Sequence, residues 1–98
     1  MPKRMQDLPE EYLITQRTLA EAIGARIRMR REELELTQEQ LRARMEFEQV
    51  FISRTQYSRI ENGEALPAAD ELIALHKLLG VRIDWLLLGN NASVLSTE

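Results

Sequence analysis

The sequence predicts an all-α fold of five helices sharing one core, and three observations predict it. Apolar residues recur at helical intervals and nowhere alternate as a strand would require. Helix-starting signals stand before these stretches, at Pro9, Thr37 and Ser53. Helix-stopping signals follow them, at Asn62-Gly63, Gly80 and Gly89-Asn90. The 98 residues, 44% of them hydrophobic, suffice for one compact core and little more.

Taken in order, Pro9 followed by Glu10 and Glu11 reads as a helix start, with the acids facing the positive end of the dipole. Residues 1–18 form a partly helical N-terminal extension in this reading, 19–89 the folded domain and 90–98 a short tail. Leu19, Ile23, Ile27 and Leu34 give the clearest amphipathic helix. Thr37 with Gln40 three residues on makes a capping box, which opens a second helix from Gln38 to about Met45. Ser53 caps a third helix. Leu72, Leu75 and Leu79 mark a fourth, and residues 83–88 a short fifth.

Composition excludes several classes of function. No apolar run approaches the roughly 18 residues of a membrane span, and residues 1–7 lead into charged sequence, so neither a membrane anchor nor a signal peptide is expected. Without cysteine there is no disulfide, thiol nucleophile or thiolate-held metal, and a cytoplasmic chain is expected. His76, the single histidine, reads as a core or half-buried side chain rather than a metal ligand. No carboxylate pair lies at a recognisable spacing beside a nucleophile, so no enzyme and no cofactor is expected. The net charge is −3, yet eight basic and six acidic residues fall between Arg26 and Arg59, a local +2. A local field of that sign permits phosphate binding without demanding it.

The third helix carries the functional pattern. Stepping by about 100° per residue, Arg54, Ser58, Thr55 and Arg59 fill one arc of about 140°. Gln56, Ile60, Ser53, Tyr57 and Glu61 fill the other. One face thus offers two guanidinium forks and two hydroxyls, which suit guanine edges, other bases and phosphates. The other offers Tyr57 and Ile60 to a core. Such faces are common as ordinary solvated surface; the wheel alone favours that reading and does not point to DNA.

The order of the segments does. Ile23-Gly24-Ala25-Arg26-Ile27-Arg28, Arg31-Glu32 and Leu36-Thr37-Gln38-Glu39-Gln40-Leu41 come first. The run from Ser53 through Arg59-Ile60-Glu61-Asn62-Gly63 follows, then Leu66-Pro67 and Leu79-Gly80-Val81-Arg82-Ile83-Asp84-Trp85-Leu86-Leu87-Leu88-Gly89. Over residues 19–89 this succession resembles the Cro/phage-repressor (Xre-like) helix-turn-helix family. The resemblance implies a compact repressor-like DNA-binding domain, a transcriptional regulator that acts as a homodimer on a double-stranded DNA operator.

It also implies roles. The helix over residues 53–62 would lie in the major groove, with Arg54, Thr55 and Arg59 reading bases. Gln38, at the start of the second helix, would hold a phosphate, and Ser58 and Asn62 would contact the DNA backbone. The plain alternative reads Gln38 as only extending the cap and Asn62 as only serving the turn with Gly63, which is compatible with both contacts. Glu61 points inward and needs a partner. Arg30 and Arg31 both border the first helix's apolar stripe, and the wheel leaves them open; the resemblance selects an Arg31–Glu61 ion pair.

Four features depart from the family. Residues 46–52 make a longer connector than usual, which either extends the second helix or forms a larger loop. Arg42 stands where a small residue is usual, and Ala43 is expected to take over that packing. Glu35 replaces a helix-ending glycine, an uncomfortable turn. Glu64 and Ala65 occupy a loop that is often basic. Phe47, Val50, Phe51 and Ile52 read as core, or in a larger loop as a partner patch; Trp85, Leu86 and Leu88 read as core, or as a dimer contact. The fifth helix with the tail over residues 92–95, or else the stretch over residues 8–18, is the candidate dimer surface. Regulation is expected from concentration, proteolysis or a protein partner, and a helix-turn-helix used as a protein-interaction or antitoxin-like module is the alternative.

Overall fold

The structure, a computed structural model, describes residues 8–91, so the contact considered at residues 92–95 lies outside the described residues. Among the described residues five α-helices follow one another: α1 Glu10–Glu33, α2 Gln38–Phe47, α3 Arg54–Glu61, α4 Ala69–Leu79 and α5 Ile83–Leu88. A 3-10 turn, Gly89–Asn91, follows α5. Pro9 precedes α1 with φ −58°, and the helix then runs unbroken across residues 18 and 19. The proposed boundary between extension and domain therefore falls inside a helix.

Local chemistry fixes the helix starts. Thr37 Oγ1 accepts from the Gln40 amide at 3.0 Å, and Gln40 Oε1 accepts from the Thr37 amide at 2.9 Å. Ser53 Oγ accepts from the Gln56 amide at 3.0 Å, which opens α3. At the start of α4, Glu71 Oε1 accepts from the Ala68 amide at 2.7 Å. Gly80 ends α4 in the left-handed region at φ 66°.

Helix α1 is the spine. It packs on α3, α4 and α5, while α2 packs on α3 and α4. Ile23, Ile27, Leu41, Met45, Tyr57, Ile60, Leu75, Leu79 and Leu86, drawn from all five helices, are the most buried large side chains. A Cβ at Gly24 would stand 2.2 Å from the Ile60 carbonyl oxygen, so only glycine lets α1 approach the last turn of α3 this closely. Two arginines of α1 close other helices: Arg30 Nε donates to the Leu79 carbonyl and Arg26 Nη1 to the Leu86 carbonyl, each at 2.8 Å.

Several side chains depart from expectation. The buried stripe of α1 is Ala20, Ile23, Gly24, Ile27 and Arg31, whereas Leu19 and Leu34 are 36% and 37% exposed. Leu19 lies roughly 100° from the middle of that stripe, and Leu34 caps the helix where the chain turns away. Helix α2 continues to Phe47, and the connector then reverses at Gln49, φ 63°. Val50 and Ile52 enter the core, but Phe47 and Phe51 are 87% and 71% exposed. Extended chain after Gln49 alternates sides, and Phe47 lies about 200° around the helix from buried Met45. Ala43 is exposed and takes over no packing. Arg42 fills that place itself, laying its stem down and donating through Nε to the Ile52 carbonyl at 3.1 Å.

At the C-terminal end Leu86 is fully buried and Trp85 is half-buried, but Leu88 is 40% exposed. Half-buried His76 uses Nδ1 to meet the Val81 carbonyl at 2.5 Å. Among the described residues no group of three or more acids or histidines is placed to hold a metal, and no helix is long and apolar enough to cross a membrane.

Candidate nucleic-acid interface

The cap at Ser53 sets the phase of α3, and the phase sorts its side chains. Tyr57, Ile60 and Glu61 turn inward. Arg54, Thr55 and Arg59 are exposed, with Ser58 half-buried beside them. The N-terminus of α2 stands next to this face. Its capping box occupies the Thr37 and Gln40 amides, which leaves the amides of Gln38 and Glu39 without partners inside the helix and facing outward at the positive end of the dipole.

An open depression of about 620 Å³ lies between the two helices. Arg54, Thr55, Ser58, Arg59, Gln38 and Asn62 all line it, so the residues assigned to bases and those assigned to the DNA backbone share one surface. Thr37, Glu39 and Glu64 complete the lining.

Beneath it lies a buried polar network. Arg31 Nε meets Glu61 Oε2 at 2.7 Å and Arg31 Nη2 meets Glu61 Oε1 at 3.0 Å, a two-pronged pair across α1 and α3. The Tyr57 hydroxyl donates to Glu61 Oε2 at 2.5 Å, and Gln38 Nε2 donates to Glu61 Oε1 at 3.0 Å. Arg31 Nη1 is spent on the Leu36 carbonyl at 2.7 Å. Burial alone would push the Glu61 carboxyl up; the hydrogen bonds from Arg31, Tyr57 and Gln38 outweigh it and hold the group below the usual carboxylate range. Burial, and then the bond to Glu61, push the Tyr57 hydroxyl well up. The bond to Glu61 raises Arg31. Glu61 is therefore a charged, fully satisfied acceptor.

Gln38 thus belongs to the surface and to the network at once. One amide hydrogen goes to Glu61, and the other remains to donate outward. The sequence held no signal for this link, because Gln38 and Glu61 stand 23 residues apart.

The charge on the surface is finely balanced. Of the eight basic residues between Arg26 and Arg59, four are engaged in the fold: Arg26 and Arg30 on helix ends, Arg31 in the buried pair and Arg42 under the connector. Arg54 and Arg59, 81% and 49% exposed along their side chains, face the depression. Each has a carboxylate nearby. Arg54 Nε lies 3.8 Å from Glu39 Oε1, and Arg59 Nε lies 3.8 Å from Glu64 Oε1.

No curated protein and no solved structure matches the chain. A helix-turn-helix family model matches residues 27–86, from within α1 to within α5 and over more than half the chain. With the five-helix order, the capped α2 and α3 and their shared surface, that match settles the family. The chain belongs to the helix-turn-helix family of the Cro/phage-repressor (Xre-like) type, a family of DNA-binding regulators.

Proposed function

We propose that this chain is a sequence-specific regulator of transcription, a repressor that binds a two-fold double-stranded DNA operator as a homodimer. In this reading α3 lies in the major groove, where Arg54 and Arg59 fork onto guanine edges and Thr55 meets a neighbouring base. The Gln38 side chain and the open amides at the start of α2 hold a phosphate, and Ser58 and Asn62 hold further backbone oxygens. The observation that carries it is the single depression lined by all six of these residues. Glu61 anchors Gln38 from below, so the phosphate contact is positioned before DNA arrives.

Selection of bound duplexes from random DNA tests this directly. The expected outcome is an enriched motif with two related half-sites about one helical turn apart. Arg54→Ala and Arg59→Ala should each cost about 1–3 kcal/mol on that motif and relax the preference at one base position. Retention of full preference by both variants would refute the assigned reading face.

A second reading has one specific observation in its favour. Phe47 and Phe51 are the two most exposed large apolar side chains among the described residues, and exposed aromatics suit a partner protein. A helix-turn-helix used for protein contact would yield no enriched DNA motif at all.

A further inference from the structure

Each of the two outward arginines of α3 stands beside an acid, and the two acids come from different elements lining the depression. Glu39 belongs to the first turn of α2 and Glu64 to the turn after α3. Their side chains are 64% and 59% exposed, so neither is there to satisfy the core. The Glu39 carboxylate is steadied by Arg42 Nη1 at 2.8 Å and approached by Arg54 through the same oxygen. Arg59 is held on three sides: by the Glu64 carboxylate, by the Glu64 carbonyl at 3.5 Å and by Gln56 Oε1 at 3.3 Å. The two guanidinium charges of the depression are matched by two carboxylates.

We infer that Glu39 and Glu64 are specificity-determining residues, which withhold Arg54 and Arg59 from DNA phosphates in general and yield them to the right base edges; the inference rests on the DNA-binding reading above. The chemistry follows from how the two modes of binding draw their strength. Non-specific binding depends on neutralising phosphates and releasing their counterions. A carboxylate 3.8 Å from each guanidinium cancels part of its field at the groove and repels the approaching phosphates. Specific binding replaces each 3.8 Å contact with two directed hydrogen bonds to guanine O6 and N7. Exposed ion pairs of this length are weak, so such an exchange is easily made. The acids thus reduce binding to every sequence but reduce it least where the arginines find their bases.

The test uses the full chain as wild type, Glu39→Gln, Glu64→Gln and the double variant, with Glu10→Gln as a control. The control removes the same charge from the start of α1, outside the depression. Fluorescence anisotropy measures affinity for a random-sequence duplex of about 30 base pairs and for the selected motif, between about 0.05 and 0.2 M salt. Each groove substitution is expected to raise affinity for the random duplex about three- to tenfold at the low end. It is also expected to steepen the salt dependence by about one unit. Affinity for the selected motif rises less, so the ratio of specific to random binding falls, while Glu10→Gln leaves that ratio in place. The Glu64 carboxylate pairs with Arg59 and lies outside α2, so its variant keeps the test open should Glu39→Gln loosen α2 through Arg42.

An unchanged ratio in Glu64→Gln and the double variant overturns the inference, as does an equal shift in Glu10→Gln. A loss of motif affinity in Glu39→Gln or Glu64→Gln also overturns it, by making that acid a base reader. In these cases a wild-type preference for the motif leaves the DNA-binding reading standing. Failure of every protein to bind either duplex defeats both.

Discussion

At the scale of single residues, Glu61 is a buried charge held by several hydrogen bonds. Its side chain is 1% exposed, yet its carboxylate accepts from Arg31 twice, from Tyr57 and from Gln38. An exposed ion pair contributes at most about 1 kcal/mol, but breaking one side of a buried pair costs about 3–5 kcal/mol, because the other charge is left stranded. Glu61→Gln is therefore expected to lose about that much stability in urea unfolding at neutral pH. The pH dependence has a definite sign. Because folding lowers the Glu61 pKa, its linked stability is complete above about pH 4.3, the value of an unfolded glutamate. It is lost as pH falls through the lower folded value. The wild type should weaken over that acid range, and Glu61→Gln should weaken less steeply; parallel acid limbs would place the sensitivity elsewhere. An inward Glu61 was legible on a helical wheel, since α3 is short and its cap is unambiguous. Its partner was not legible there. Arg31 lies near the middle of the α1 stripe and Arg30 at its edge, a difference set by where Ala20, Gly24 and Ile27 touch their neighbours.

At the scale of elements, the helix ends divide into those with the right residue and those without it. Gly63 and Gly80 take left-handed turns at φ 77° and 66°, where a side chain would be strained. Glu35 and Gln49 make the same turn, at φ 59° and 63°, with a Cβ in place. The left-handed region costs an L-residue roughly 1–2 kcal/mol, and glycine returns part of any gain through its greater freedom in the unfolded chain. Exposed Glu35 is the cleaner position, and Glu35→Gly is expected to raise stability by about 0.5–1 kcal/mol. The denaturation midpoint should rise with its slope unchanged, and a lower midpoint would mean that the Glu35 side chain stabilises the turn in some other way. The discomfort at Glu35 was legible because it is local: a helix must end before Thr37 can start the next. The connector after α2 was not, because its course depends on what lies beneath it. Val50 and Ile52 find core while Phe51 between them does not, and Arg42 reaches from α2 to the Ile52 carbonyl.

At the scale of the whole molecule, charge was the feature that sequence order described least well. A local excess of +2 looked like a strip, but Arg26, Arg30, Arg31 and Arg42 are turned to carbonyls and to Glu61, work that a linear count does not separate from exposure. What remains at the depression is modest, so a single copy should bind a half-site weakly and two linked copies far better. One apolar surface would suit the second copy proposed above. An open depression of about 410 Å³ between α1 and α5 is lined by Ile14, Leu19, Ala22, Leu87 and Leu88, with polar Thr15, Thr18 and Arg26. Ile14 and Leu88 are 52% and 40% exposed. The stretch over residues 8–18 and the fifth helix, two separate candidates in the sequence, meet there. Two elements sharing one apolar surface suit a two-fold contact better than the exposed Phe47 and Phe51 side chains of the connector do. The full chain is accordingly expected to sediment as a dimer, and Leu88→Glu, which puts a charge on the rim of that wall, to shift it toward monomer. The same variant should bind a single half-site as wild type does and lose affinity for the two-half-site motif alone. A wild-type chain that stays monomeric at high concentration, with and without the motif, would remove the two-fold from the reading and leave α3 to work alone.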